Sequence, residues 1–230
     1  MARLPRYYIK NQPQHIIQRS IDSKDIFIQD DDYLNYYEWL QIAADQHKLK
    51  VHAYIFMPKQ VHLLATPSTE NSISKTLQSL GRNYVQYYNN TYDHSGSIWE
   101  GRYRATILDS KEYLLTCSRY IETNGVRNGL AEHPRDYYWS SYGYNAGKED
   151  DPLITEHRIY KALGKTENER NKNYRAAFKK PISGELASHI HDSTIKGWAL
   201  GDRKFIAKIE KTSNRRVTPL PRGRPRLNGN

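Results

Sequence analysis

The sequence predicts an α+β fold: a ferredoxin-like βαββαβ antiparallel sheet with helices on both faces, followed by C-terminal helices and a basic tail. Three observations predict it. Strand-like apolar runs fall at 15–19, 50–57, 60–66 and 102–108. Two long stretches with helical apolar spacing separate the first run from the second and the third from the fourth. A third helical stretch follows the last run and offers itself as cover for the free face of the sheet.

Taken in order, residues 1–13 carry Arg3, Arg6 and Lys10 with two prolines, and read as an extended basic arm. His15-Ile16-Ile17-Gln18-Arg19 reads as a first strand. Asp30-Asp31-Asp32 supplies N-cap candidates and favourable negative charge at a helix start. Tyr33, Tyr37, Leu40, Ala44 and His47 then recur at helical spacing, which predicts a helix over 31–48. Ala53–Met57 and Val61–Ala65 flank Pro58, which cannot donate to a sheet ladder, so the chain leaves one strand and re-enters another here.

After Ser68-Thr69, read as a cap, Ile73, Leu77, Leu80, Tyr84 and Tyr87 form one stripe of a helix that ends near Asn89-Asn90. Arg102–Leu108 reads as a strand with charges on alternate positions. Asp109-Ser110-Lys111-Glu112 supplies a capping box, and Gly125 a stop signal, for the helix between them. Tyr113, Cys117, Tyr120 and Asn124 line one side of that helix. A turn-rich stretch and the aromatic block YYWSSYGY at 137–144 follow. Residues 147–152 look like a linker, and two or three short helices are expected over 153–211. The predicted organisation is therefore a domain over 1–146, a helical extension over 147–213 and a flexible tail over 214–230.

Composition narrows the function classes. The net charge of +10 points to a polyanionic partner, with nucleic acid first. No apolar run approaches 18 residues, which argues against a membrane partner. The start MARLPRYYIK has no signal-peptide core, so a cytoplasmic, nucleoid-associated location is expected. One cysteine, Cys117, excludes an internal disulfide and a cysteine-based zinc cluster. The 19 tyrosines against 4 phenylalanines suit a core rim or a base-stacking surface.

The chemistry centres on AYIFMPKQVHLLATP, residues 53–67. On a strand the side-chain period is 2, so Gln60 and His62 share a face and can share a divalent cation; a polar patch on a half-solvated strand would look the same. Tyr120 on the later helix is either a packed aromatic or a nucleophile towards a phosphodiester. Asn124, one turn beyond, projects from the same face and offers a third ligand. Amide oxygens suit Mg²⁺ or Mn²⁺, which keep several waters and borrow oxygens from a substrate phosphate.

FMPKQVHLLATP at 56–67 resembles the histidine–hydrophobic–histidine metal motif of the HUH nucleases. WEGRYRA at 99–105, RYIETNGVRNGL at 119–130 and DYYWSSY at 136–142 resemble segments of their single-tyrosine transposase branch, in the same order and spacing. With the C-terminal RRVTPLPRGRPR, the chain resembles the REP-associated tyrosine transposases, which act on short palindromic repeats in bacterial chromosomes. The resemblance spans nearly the whole chain and is loosest over 150–205. It implies an HUH nuclease fold, Tyr120 as nucleophile, and His62 and Asn124 as metal ligands. It further implies cleavage of single-stranded DNA beside a hairpin, leaving a 5′-phosphotyrosine and a free 3′-hydroxyl. The sequence departs from the family twice: Gln60 stands where the first histidine is usual, and Gly125 where proline is usual.

In the tail, Arg222-Gly223-Arg224-Pro225-Arg226 resembles an AT-hook core, suited to the narrow minor groove of A/T-rich duplex. Arg215 and Arg216 extend its basic character; a solvated tail that only raises non-specific affinity is the alternative. The expected partners are single-stranded DNA hairpins, bound by a monomer or homodimer. Beside the cleaving enzyme stands a non-catalytic hairpin-binding protein that keeps the fold while Gln60 impairs its metal site. An RNA-binding module is a third option, opposed by the lack of an RNP-like aromatic pattern on the strands.

Overall fold

A computed structural model describes residues 6, 7 and 9–219. The predicted element order is present: β1 Gln14–Arg19, α1 Asp30–Gln46, β2 Leu49–Met57, β3 Gln60–Pro67, α2 Ser72–Thr91, β4 Arg104–Ile107 and α3 Ser110–Glu122. Among the described residues the sheet has four strands in the order β2-β3-β1-β4, antiparallel throughout. Then follow α4 Asn124–Arg127, α5 Tyr142–Asn145, α6 Arg158–Lys161, α7 Glu167–Ala177, α8 Gly184–Lys196 and α9 Arg203–Ser213. The stretch 153–211, expected to hold two or three short helices, thus holds α6 to α8 and most of α9. No helix among the described residues is long and apolar enough to cross a membrane.

Strand periodicity divides the sheet into two faces. Val61, Leu63 and Ala65 of β3 and Ile16 of β1 pack under α1 and α2 with Tyr36, Leu40, Leu80 and Tyr84. His62, Leu64 and His15 lie on the opposite side, where Leu64, Ala53 and Ile55 meet Leu114, Cys117 and Ile121 of α3 and Ile190 of α8. A register shift between Val51 and Ala53 inserts His52 as a bulge, so the apolar residues of β2 serve both faces. Met57 pairs with Gln60, so Pro58 and Lys59 form the turn that the proline predicts.

Helix α1 begins at Asp30, but the capping is reversed from a simple aspartate cap. Asp32 sits at the third position, fully buried, and accepts from the backbone N–H of Ile28 and Gln29 and the hydroxyls of Tyr87 and Tyr92. The cap of α2 is Asn71 rather than Ser68-Thr69. Gly125 does not stop α3: the chain runs through Thr123 into α4, and the left-handed residue that ends the turn is Gly129, with φ 70°. What Gly125 provides is room, because a Cβ there would meet the Tyr137 ring at 3.1 Å.

The C-terminal third closes the sheet rather than standing off it. Leu200 pairs in parallel with Leu108, and Thr106 donates to the carbonyl of Trp198, so 198–200 covers the β4 edge. Residues 139–141 and 154–155 cover the β2 edge in the same way. The structure also differs at the expected start of the tail. Val217 is fully buried and its carbonyl accepts from the N–H of Ala199, while Arg215 donates to the carbonyl of Gly197 and stacks on Tyr7. Apolar burial of Val217 holds this segment down, despite its basic composition.

Candidate active site

The side of the sheet under α3 and α8 carries a buried polar cluster. Ile16 and Gln18 of β1 face the α1 side, where Gln18 accepts from Tyr36, so His15 and Arg19 face the other way. On β3, His62 lies between Val61 and Leu63 and points to that same side. The α3–α4 helical segment is fixed on the sheet by Leu114, Cys117 and Ile121, which aims Tyr120 and Asn124 down at the histidines. Helix α8, anchored by Ile190, brings His191 and Thr194 over them.

The distances define one connected network. His15 Nε2 lies 3.0 Å from His62 Nδ1, and the two rings meet edge to edge with centroids 5.2 Å apart and planes 26° from parallel. Thr194 donates to the Ile190 carbonyl, so its oxygen accepts from His15 Nδ1 at 2.7 Å. That assigns the His15 proton to Nδ1 and leaves the Nε2 lone pair facing His62. The Asn124 amide nitrogen stands 3.3 Å from the His62 ring nitrogens, while its oxygen accepts from Arg127 at 2.7 Å. Arg127 also lies over the Tyr120 ring, 4.2 Å from its centroid, a cation–π contact. Arg19 donates to His191 Nε2 at 3.0 Å, which places the His191 proton on Nδ1, 3.4 Å from the Tyr120 hydroxyl.

Burial dominates the electrostatics. It pushes His15 down to about 3 and His62 well below the usual imidazole range, with nearby His191, His15 and Arg127 adding to the effect. Both imidazoles are therefore neutral at pH 7, the form that binds metals. Burial raises the Tyr120 hydroxyl, and the positive charge of Arg127 opposes it. Tyr120 is thus a phenol surrounded by the groups that would stabilise its anion: a guanidinium on its face and an imidazole N–H at its oxygen.

The structure brings Tyr120, His62 and Asn124 together and leaves Gln60 aside. Gln60 shares the face of His62 but is half-buried beside Met57, Lys59, Asn128 and Leu130, at a cavity of about 220 Å³. Among the described residues its side chain makes no hydrogen bond to His62, Asn124 or Tyr120. No group of three or more His, Cys, Asp or Glu able to hold a metal occurs among the described residues. The donors gathered here are two imidazoles and an amide, and by their chemistry such donors fit a divalent ion that keeps open positions for water or phosphate oxygen. His15, Arg19, Arg127, His191 and Thr194 are absent from the sequence-derived site. The signal available for His15 was its place two residues from Ile17 on the strand face opposite Ile16.

The arginines expected to bind DNA divide by location. Arg6 lies over the Tyr103 ring at 4.0 Å and lines a groove of about 990 Å³ beside α2, together with Arg82, Arg102 and Trp99. The buried Trp99 indole N–H in that groove has no hydrogen-bond partner among the described residues. Arg215 is spent on Tyr7 and Gly197, while Arg216 is exposed. Arg3, Arg222, Arg224 and Arg226 lie outside the described residues.

Residues 8–124 match the IS200-like transposase family, a little over half of the chain. The chain belongs to that family. A solved REP-associated tyrosine transposase bound to a REP hairpin superposes with a TM-score of 0.52 at 16% identity, covering 68% of this chain and 92% of that one. At that identity the likeness shows the fold, a four-stranded antiparallel sheet flanked by helices. A transposase from Deinococcus radiodurans, described as putative, gives a TM-score of 0.38 at 17% identity, covering 56% of this chain and 98% of that one. A bacterial tRNA(His) guanylyltransferase-like protein in complex with GTP gives 0.34 at 13%, covering 56% and 70%. No curated protein sequence matches.

Proposed function

We propose that this transposase-family chain cuts single-stranded DNA next to a hairpin, using Tyr120 as nucleophile. One observation carries the reading: Tyr120, Asn124 and His62, contributed by one helical segment and one strand, converge in a single buried cluster. The Tyr120 oxygen attacks the scissile phosphorus and the bond from phosphorus to the 3′-oxygen breaks. The products are a 5′-phosphotyrosine and a 3′-hydroxyl, which takes up one proton as Tyr120 gives one up. Arg127 over the ring and the His191 N–H at the hydroxyl favour the phenolate that attacks. Mg²⁺ or Mn²⁺, held by His62 and Asn124, would supply charge withdrawal from the phosphate. For Asn124 to act as an oxygen ligand its amide must turn over, exchanging the Arg127 contact for the ion. Tyr120 is only 3% exposed, so substrate entry requires α8 to part from it at His191.

The solved transposase holding a REP hairpin supports a hairpin as the DNA partner here. The groove lined by Arg6, Arg82 and Arg102 suits a neighbouring DNA strand, with cations for its phosphates. The terminal arginines Arg222, Arg224 and Arg226 supply further phosphate contacts and the minor-groove segment for A/T-rich duplex. Such a protein works on the chromosome, in the cytoplasm. A second reading, a hairpin binder without cleavage, is favoured by the standing of Gln60 away from the cluster.

The test is incubation with single-stranded hairpin DNA and Mn²⁺, followed by a denaturing gel. Wild type should give a covalent protein–DNA species, and Tyr120→Phe, which removes only the hydroxyl, should bind DNA without forming it. An adduct on the Phe variant would remove Tyr120 from the role, and no adduct from wild type would favour the binder.

A further inference from the structure

We propose that His15, on β1, is the partner of His62 in holding the divalent ion, in the place that the paired motif on β3 leaves to Gln60. This rests on the metal-dependent reading above and names a different ligand for it.

Three observations support His15. First, its Nε2 lies 3.0 Å from His62 Nδ1. Two nitrogens bound to one ion through bonds of ~2.1 Å at right angles lie ~3.0 Å apart, so the present separation already suits a shared ion, and both rings must turn to aim their lone pairs at a point ~1.5 Å to the side of the line between the nitrogens. The His62 proton then resides on Nε2, a tautomer shift at constant charge. Second, the far nitrogen of His15 is already engaged: Thr194 accepts from Nδ1 and is itself fixed by donating to Ile190. Metal-binding histidines commonly have this second hydrogen bond, which fixes the tautomer and the ring plane. Third, His15 has no exposed surface and lies in a layer whose neighbours, Leu64 and Ile190, are apolar. An apolar side chain would serve packing there better, since a buried imidazole must be compensated by hydrogen bonds. Gln60 has none of these supports and opens to a separate cavity.

The donor chemistry gives a further consequence. Two imidazoles with one amide shift preference from Mg²⁺ towards Mn²⁺ and Co²⁺.

The experiment measures metal binding on the full chain without DNA. Mn²⁺ affinity is read by electron paramagnetic resonance and Co²⁺ binding by visible absorption, for wild type, His15→Gln, Thr194→Val and Gln60→Ala, with circular dichroism as a folding control. Expected results are a loss of tenfold or more in Mn²⁺ affinity for His15→Gln, and about tenfold for Thr194→Val, which leaves His15 in place but unfixed. Gln60→Ala should change affinity less than threefold. If His15→Gln does not fold, Thr194→Val decides alone. Unchanged affinity in the folded His15 and Thr194 variants, or a tenfold loss in Gln60→Ala, overturns the proposal. Tyr120 adduct formation by wild type would meanwhile leave the cleavage reading standing. A wild type that binds neither Mn²⁺ nor Co²⁺ overturns both the ligand assignment and metal dependence.

Discussion

The two faces of the sheet are closed by different means. Under α1 and α2, the core is aromatic: Phe27, Tyr33, Tyr36, Phe56 and Tyr84 stack or meet edge to face, and their hydroxyls find partners at the rim. Under α3 and α8, the same strands bury His15, His62 and Asn124 beside Tyr120, and Glu122 a turn away. The first face is closed mainly by apolar and aromatic burial. The second adds to an apolar layer of Leu64, Leu114, Cys117 and Ile121 a set of directional hydrogen bonds between neutral imidazoles, an amide, a hydroxyl and arginines, a stronger constraint on identity than on volume. The contrast teaches where this fold keeps its chemistry: on the face whose polar groups fix one another.

Substitutions on either side test the contrast. The largest effect on activity should come from His62→Ala, a loss of ~1000-fold in covalent adduct formation if the ion supplies several kcal/mol. Hairpin affinity, measured by gel shift, should change little, since positioning comes mostly from arginine and lysine contacts to phosphates. Matching losses of both activities would mean that His62 acts through the fold. On the other face, Leu40→Ala should cost ~2–5 kcal/mol of stability by leaving a cavity under α1. Denaturant unfolding measures it, and adduct formation by the remaining folded protein should stay near wild type.

Glu122 gives the next contrast, because it is buried and acidic and, among the described residues, no cation lies at its carboxylate. Ser141, Asn145 and Tyr174 all donate to it. Burial pushes its carboxyl up to about 7, and the three donors limit the rise. A carboxyl raised in this way favours folding fully below its unfolded value near 4.5, and that contribution is lost as pH rises through 7. The depressed imidazoles of His15 and His62 act in the other direction. Their contribution is complete above pH 6.5 and is lost as pH falls below it. Between pH 4.5 and 6.5 the two effects partly cancel. Glu122→Gln should therefore steepen the loss of stability in acid and flatten the dependence between pH 6.5 and 7. Urea midpoints at half-unit pH steps read this directly; an unchanged profile would show that Glu122 is charged throughout.

The smallest effect should come from the terminus. Cutting after Pro219 leaves the docked Val217 in place and removes Arg222, Arg224 and Arg226. The slope of log affinity against log salt should flatten by up to ~2.1 for single strands or ~2.7 for duplex. An unchanged slope would mean that these arginines do not reach the DNA.

Local rules acting on sequence determined the element order, the Pro58 turn, the separation of Val61 and Leu63 from His62, and the α3 face shared by Tyr120 and Asn124. Each depends on residues within a few positions of one another, where the periods 2 and 3.6 decide which side chains share a face. The same local rules fail at Gly125, whose role is close contact with the Tyr137 ring and not a backbone turn. Tertiary structure alone decided the rest. It carried His15 to His62 across 47 positions and Thr194 to His15 across 179. It placed His191 against Tyr120 and folded 198–200 and Val217 onto the sheet edge. Gln60 and His62 are neighbours in sequence and share a strand face, yet the nitrogen nearest His62 comes from β1. Antiparallel pairing sets β1 directly beside β3 and brings its side chains diagonally across, a juxtaposition fixed by register rather than by spacing along one strand.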